Sequence, residues 1–378
     1  MIPYGKQSIN DADINAVVNI LKGDWLTTGP AVEKFESDLQ QFTGGVPVVS
    51  VSSGTAALHC AYIAAGIKPG DEVITPPITF VATQATAVFC GAKIVFCDVQ
   101  ADTGNIDPNL IEDKITPRTK AIVAVDYAGH PAELDEIRKI CNKHKLLFIE
   151  DASHALGSKY KEQYVGSIAD ITTFSFFPTK NITTGEGGAI ACKDPQMLQK
   201  ARRFARQGLV REKNDFRIKS EGPWHQEVQE FGLNYRLPDV LAALGISQLH
   251  RLNEFKTKRN AIRDFYNKEL ANLPYLTLPV QKDYTEPFWH LYALRIDKSL
   301  RLRFYEFLKS KEISIQVNYL PVNMQPVFQN SKKINEFPNS LNFYNSEISL
   351  PIFYDLDNES LKKIVGQIKQ FIEIIDNE

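Results

Sequence analysis

Between residues 46 and 192 short β-rich runs take turns with helical patterns, and this alternation constrains the fold more than any other feature of the chain. The runs are "VPVVSVSS", "DEVITPP", "KIVFCDV", "KAIVAVDYAG", "KLLFIEDAS", "ITTFSFFP" and "GGAIAC", rich in Val, Ile and Phe. They are nearly continuous rather than alternating in polarity, as strands are when both faces are covered. Helical patterns such as "GTAALHCAYIAAG" and "ELDEIRKICNKH" lie between several of them. Strands connected through helices pair in parallel. The expectation is an α/β domain around a mostly parallel sheet.

The 378 residues leave room for a smaller domain beside the large one. Residues 211–230, "REKNDFRIKSEGPWHQEVQE", are polar and aperiodic, which predicts a long surface loop of the functional or mobile kind. A longer helical pattern runs from Pro238 to about Tyr266, and shorter signals such as "WHLYALRID" and "SLKKIVGQIKQFIEII" follow. A boundary near residue 250 divides the chain into 1–250 and 251–378. The formal net charge of -2 gives no electrostatic reason to expect nucleic acid or an anionic membrane. No stretch approaches the ~20 apolar residues of a membrane span, and "MIPYGKQSIND" has no signal-peptide core. Cys60, Cys90, Cys97, Cys141 and Cys192 are odd in number and lack CxxC spacing, so buried thiols in a reducing cytosol are expected, with no structural metal.

Open α/β sheets bind ligands at the carboxyl ends of their strands, and the informative residues fall there. "SSGTAAL" follows "VPVVSV" and opens a helix, offering backbone N–H groups and a hydroxyl to an anion. Ser53 or Thr55 acting only as a helix cap is the competing reading. Asp151 ends "KLLFIED", where a carboxylate either caps the next helix or holds a proton on a ring nitrogen. His154 lies three residues on, and a lone histidine is more often structural. Lys180 follows a buried run inside "TKNITTGEGG", with no other charge back to Asp170. Desolvation disfavours an ammonium, and a neutral lysine amine attacks carbonyls to form Schiff bases. An anion cup, a strand-end acid and a sheltered lysine are the three things pyridoxal 5'-phosphate needs.

The stretches "SSGTAAL", "TPPITFVAT", "VDYAG", "IEDASHALG", "SFFPTKNITTGEGG" and "EFGLNYRLPDVLAALGISQL" closely resemble the nucleotide-sugar aminotransferases of the DegT/DnrJ/EryC1/StrS family, from "IPYGKQSI" to "SEISLP". The resemblance implies fold type I of the pyridoxal phosphate transferases: a large domain on a mostly parallel, mixed seven-stranded sheet, and a smaller C-terminal α/β domain. It implies a cytoplasmic homodimer whose active sites lie at the subunit interface. Lys180 matches the family's Schiff-base lysine, Asp151 the partner of the pyridine nitrogen, and His154 the residue beside the ring hydroxyl. Phe80 matches the aromatic that stacks on the cofactor, and Gly54, Thr55 and Ser175 match its phosphate pocket. Asn234 matches the phosphate-pocket residue supplied by the other subunit. Tyr4, Asp24, Trp25, Leu26, Thr27, Asn318, Tyr319 and Leu320 fall where the family contacts its sugar nucleotide.

The implied reaction takes an amino group from L-glutamate, stores it as pyridoxamine 5'-phosphate, and delivers it to a 4-keto sugar nucleotide. "LTTGP", "VDYAG", "DASHALG" and "EISLP" look most like the branch that forms UDP-4-amino-4,6-dideoxy-N-acetyl-β-L-altrosamine, on the way to pseudaminic acid. That branch often carries histidine where this chain has Phe177, Gln207 and Asn323, so other UDP-, dTDP- or GDP-linked 4-keto sugars stay open. Two rivals are a pyridoxamine-dependent sugar dehydratase, which has histidine in place of the lysine, and a catalytically idle aminotransferase-like regulator or binding protein. Lys180 argues against the dehydratase.

Overall fold

The computed structural model of the chain describes residues 1–328 and 336–378. All seven apolar runs become strands of one sheet: β1 (Val48–Val51), β2 (Glu72–Thr75), β3 (Lys93–Phe96), β4 (Thr119–Val125), β5 (Leu147–Asp151), β6 (Ile171–Ser175) and β7 (Gly188–Cys192). Their order across the sheet is β1-β7-β6-β5-β4-β2-β3. Pairs from β3 through β6 are parallel. Only β7 runs against its neighbours. Inner strands β2 and β7 are buried along their whole length and β4, β5 and β6 at all but one residue each, which is why their sequences lack polar alternation.

Helices cover both faces: α1 (Asp11–Leu21), α2 (Pro30–Gln40), α3 (Gly54–Ala64), α4 (Ala82–Phe89), α5 (Leu134–His144), α6 (Pro195–Phe204), α7 (Asp239–His250) and α8 (Leu252–Leu270). On one face Tyr62 of α3 and Ala201 of α6 pack on Val73, Ile149 and Ile190. On the other, Phe35 of α2 and Leu249 of α7 pack around Phe174 and Phe176. The helical pattern read across Pro238–Tyr266 is two helices, α7 and α8, broken at Arg251. There the guanidinium of Arg251 donates to Asp13 Oδ2 at 3.2 Å and lies over the Phe255 ring. The polar stretch 211–230 is mostly irregular and exposed; the Glu227 carboxylate ties it together by accepting the N–H groups of Arg217 and Ile218.

A second core forms on the antiparallel strands β8 (Leu276–Thr277), β9 (Tyr292–Ile296) and β10 (Glu347–Leu350). Helices α9 (Arg301–Ser310), α10 (Pro338–Ser346) and α11 (Asn358–Asp376) belong to the same part of the chain. Phe304 and Leu308 of α9 meet Ile364 and Ile368 of α11 inside it. Helix α8 enters both cores: Leu252 and Phe255 pack in the first, Ile262 and Tyr266 in the second. Each such side chain contributes about 1.5–3 kcal/mol by leaving water. The chain's first residues join the second core too, with Ile2 buried there and its N–H bonded to Glu312 O at 2.7 Å. All five cysteines are buried free thiols. Among the described residues no helix is long and apolar enough to cross a membrane, and no His/Cys/Asp/Glu group could hold a metal ion.

Candidate active site

The carboxyl ends of β1, β5 and β6 open on one cavity of about 480 Å³, closed on its far side by the second core. The β1 end turns into α3 through Ser53, whose hydroxyl accepts the Ala56 N–H at 3.0 Å. Ser53 is therefore a helix cap, and Gly54 and Thr55, next in line, bring the helix N-terminus to the cavity. This corner tolerates no extra atoms. A Cβ on Gly54 would stand 2.7 Å from Ser175 Cβ, and one on Gly188 would stand 2.4 Å from the Ser53 carbonyl oxygen.

Asp151 ends β5 with both oxygens engaged. Oδ2 accepts from Thr83 Oγ1 at 2.7 Å, and Oδ1 accepts from Ser153 Oγ at 2.6 Å and Ser153 N at 3.2 Å. Those bonds fix the carboxylate's orientation at the cavity wall. His154 is buried, and its Nδ1 accepts the Ala128 N–H at 3.2 Å. That bond leaves the ring proton on Nε2, 3.3 Å from Tyr319 Oη. Burial, assisted by the Lys180 charge, holds His154 well below the usual histidine range and so neutral.

Lys180 is half-buried in the turn after β6, with its N–H bonded to Phe177 O. Desolvation lowers its amine to about 8, against the opposing pull of Asp151. Phe80 is 59% exposed, an apolar ring open to the cavity. Tyr4, Asn318 and Tyr319 form the opposite wall, with Tyr4 and Tyr319 packed against the cluster of Tyr127 and Leu291. A helix N-terminus, an oriented carboxylate, a depressed lysine amine and an open aromatic face fit a phosphorylated, cationic, aldehyde-bearing ring.

Other expected residues stand elsewhere. Asp24, Trp25, Leu26 and Thr27 are exposed and off the cavity wall, as is Asn234, which bridges to Arg206. Leu320 is half-buried beside the wall without lining it. Of the three positions where the resembled branch often carries histidine, only Phe177 borders the cavity. Gln207 instead accepts from Arg236 at 2.6 Å, and Asn323 is buried. Sequence reading missed Thr83, Ser153 and His290. His290 is buried at the wall, its ring 4.3 Å from that of His154, and its Nδ1 has no partner among the described residues. Only the aromatic run "FWHLY" around His290 hinted at it, and such a run ordinarily reads as core.

Comparison with known proteins bears on the same site. The model of the DegT/DnrJ/EryC1/StrS aminotransferase family matches residues 7–369. A UDP-4-amino-4,6-dideoxy-N-acetyl-beta-L-altrosamine transaminase of Campylobacter jejuni is 36% identical over 379 residues, covering 99% of this chain and 98% of its own. Among solved structures, Helicobacter pylori PseC, an aminotransferase of pseudoaminic acid biosynthesis, is similar with a TM-score of 0.91 and 33% identity, covering 98% and 99% of the two chains. The putative sugar aminotransferase Spr1654 of Streptococcus pneumoniae, solved in its PMP form, has a TM-score of 0.93 and 29% identity, covering 99% and 100%.

Proposed function

Because the chain belongs to the DegT/DnrJ/EryC1/StrS family and is a pyridoxal-phosphate-dependent sugar aminotransferase, we propose that it moves the amino group of L-glutamate to the 4-keto carbon of a UDP-linked 4-keto-6-deoxy N-acetylamino sugar. The product is then UDP-4-amino-4,6-dideoxy-N-acetyl-β-L-altrosamine, and 2-oxoglutarate leaves. One observation carries the reading: Lys180, Asp151 and the N-terminus of α3 converge on one cavity whose opposite wall is Tyr4, Asn318 and Tyr319.

When bound, pyridoxal phosphate supplies an aldehyde that takes up the amino group and a ring that accepts electrons as a proton departs. The backbone of Gly54 and Thr55, with Ser175, holds the phosphate. Asp151 keeps the ring nitrogen protonated, held in place by Thr83 and Ser153. His154 stays neutral, its Nε2–H engaged with Tyr319 beside the place the ring hydroxyl would take. The Lys180 amine, near neutrality because it is desolvated, takes the proton from the donor carbon and returns it on the other side of the exchange. Phe80 covers the ring face and excludes water. Asn234 acts from a second copy of the chain. In support, Trp224, Val228 and Phe231 near it are 74%, 60% and 98% exposed, more apolar surface than a lone chain ordinarily leaves in one stretch.

The test is a panel of UDP-, dTDP- and GDP-linked 4-keto sugars with glutamate consumption as the readout. Turnover is expected with the UDP-linked 6-deoxy N-acetylamino sugar and is expected to vanish in Lys180→Ala. A preference for a dTDP- or GDP-linked sugar would overturn the substrate assignment and leave the enzyme class standing.

A further inference from the structure

We propose that Glu347 and Ser349, in the "EISLP" stretch on β10, are positioning residues that set the hydrogen-bonding polarity of the sugar-side wall through Asn318 and Tyr4. The inference rests on the reading that a nucleotide sugar occupies this cavity. Being two residues apart on a strand, the two side chains share a face, and both residues are fully buried. Glu347 Oε2 accepts the backbone N–H of Asn318 at 2.7 Å, and Oε1 accepts the Ser349 hydroxyl. Asn318 Nδ2 donates to Ser349 Oγ at 3.0 Å and to Tyr4 Oη at 2.8 Å. Tyr127 Oη donates to the Asn318 carbonyl and completes the frame.

The direction of this relay follows from its far end. An ionised carboxylate only accepts, so Ser349 must donate to it. The Ser349 oxygen then accepts, and what it accepts is the Asn318 amide nitrogen rather than its oxygen. That choice fixes the amide. It leaves Oδ1, to which none of the described residues donates, while the Tyr4 hydroxyl is held by Asn318 and Ser349. Asn318 and Tyr4 both line the cavity, so the wall presents the Asn318 oxygen as an acceptor. A sugar hydroxyl or acetamide N–H suits it.

A proton on Glu347 undoes this order, because the acid can donate to Ser349 and let the amide turn over. The groups facing Glu347 are the hydroxyls of Tyr4, Tyr127 and Tyr319 and the guanidinium of Arg301. Burial outweighs the donors and Arg301, raising the carboxyl to about 8. The relay is therefore in its ordered state above that pH and released below it.

Glu347→Gln should behave as the released state at every pH, since its amide nitrogen donates to Ser349. The experiment measures KM for the sugar nucleotide and for glutamate separately from pH 6.5 to 9.5, and the dissociation constant of UDP-N-acetylglucosamine by calorimetry as a readout independent of turnover. For the wild type, KM for the sugar should fall as pH rises through about 8. In Glu347→Gln it should be about tenfold higher at pH 9, flat with pH, and matched by weaker calorimetric binding, while KM for glutamate moves by no more than about twofold. Ser349→Ala, a milder change, should also remove the pH step and serves should the glutamine variant fold poorly. Equal rises in both KM values, or a pH step that survives in both variants, overturns the proposal. A wild type that binds no nucleotide sugar overturns the functional reading and this one with it; one that binds a sugar equally well as Glu347→Gln overturns this one alone.

Discussion

Lys180 is a lysine whose surroundings remove its charge near neutrality: burial lowers the amine to about 8, and Asp151 is the group that pulls the other way. A base with a lowered pKa is neutral above that value and charged below it. The apoprotein should therefore take up pyridoxal phosphate at a rate that climbs about tenfold per pH unit below 8 and levels off above it, followed by absorbance. A rate still climbing at pH 10 would mean a solvated lysine and would sink this account of its environment. Lys180 and Asp151 were legible because each stands at the end of a buried run, where a charge is out of place. His290 was not, because its neighbours in sequence are core aromatics. Its partner His154 lies far off in the chain and meets it only after folding. Thr83 and Ser153 are polar residues of no distinction until Asp151 stands between them.

At the scale of elements, the seven strands were plain in the sequence because burial on both faces writes itself as continuous apolar runs. The break between α7 and α8 was not, since the Asp13 and Ser8 that hold Arg251 lie 238 and 243 residues away. The junction of β1 with α3 was half legible. "SSGT" announced a helix start, but the nearness of Ser175 on β6 that forbids a side chain at Gly54 is a packing fact. Gly54→Ala forces its methyl against Ser175 and shifts the helix N-terminus. Overpacking of this kind costs about 1–3 kcal/mol. The variant should fold, with the affinity of the apoprotein for pyridoxal phosphate down about tenfold or more in a titration. Unchanged affinity would show that this corner does not hold the phosphate.

At the scale of the whole molecule, several residues picked out in the sequence stand away from the cavity of their own chain. Asn234 and the stretch from Asp24 to Thr27 are exposed and off the cavity, while apolar surface lies open nearby at Trp25 and Phe231. Mixing inactive Lys180→Ala with inactive Asn234→Asp chains separates action in trans from a surface role. In a mixed dimer one site carries both defects and the other neither, so up to about half the activity of a normal dimer should return. No return of activity, with subunit exchange verified, would confine Asn234 to its own chain. The position of Tyr4 has a further consequence. It is bonded to Asn318, 314 residues later, and Ile2 beside it is fastened to Glu312. On the ribosome the segment that bears Tyr4 must wait, without these partners, until Glu312 and Asn318 have been translated. The pocket's floor of strand ends, complete in sequence by Cys192, can be assembled before the wall of Tyr4, Asn318 and Tyr319 closes over it.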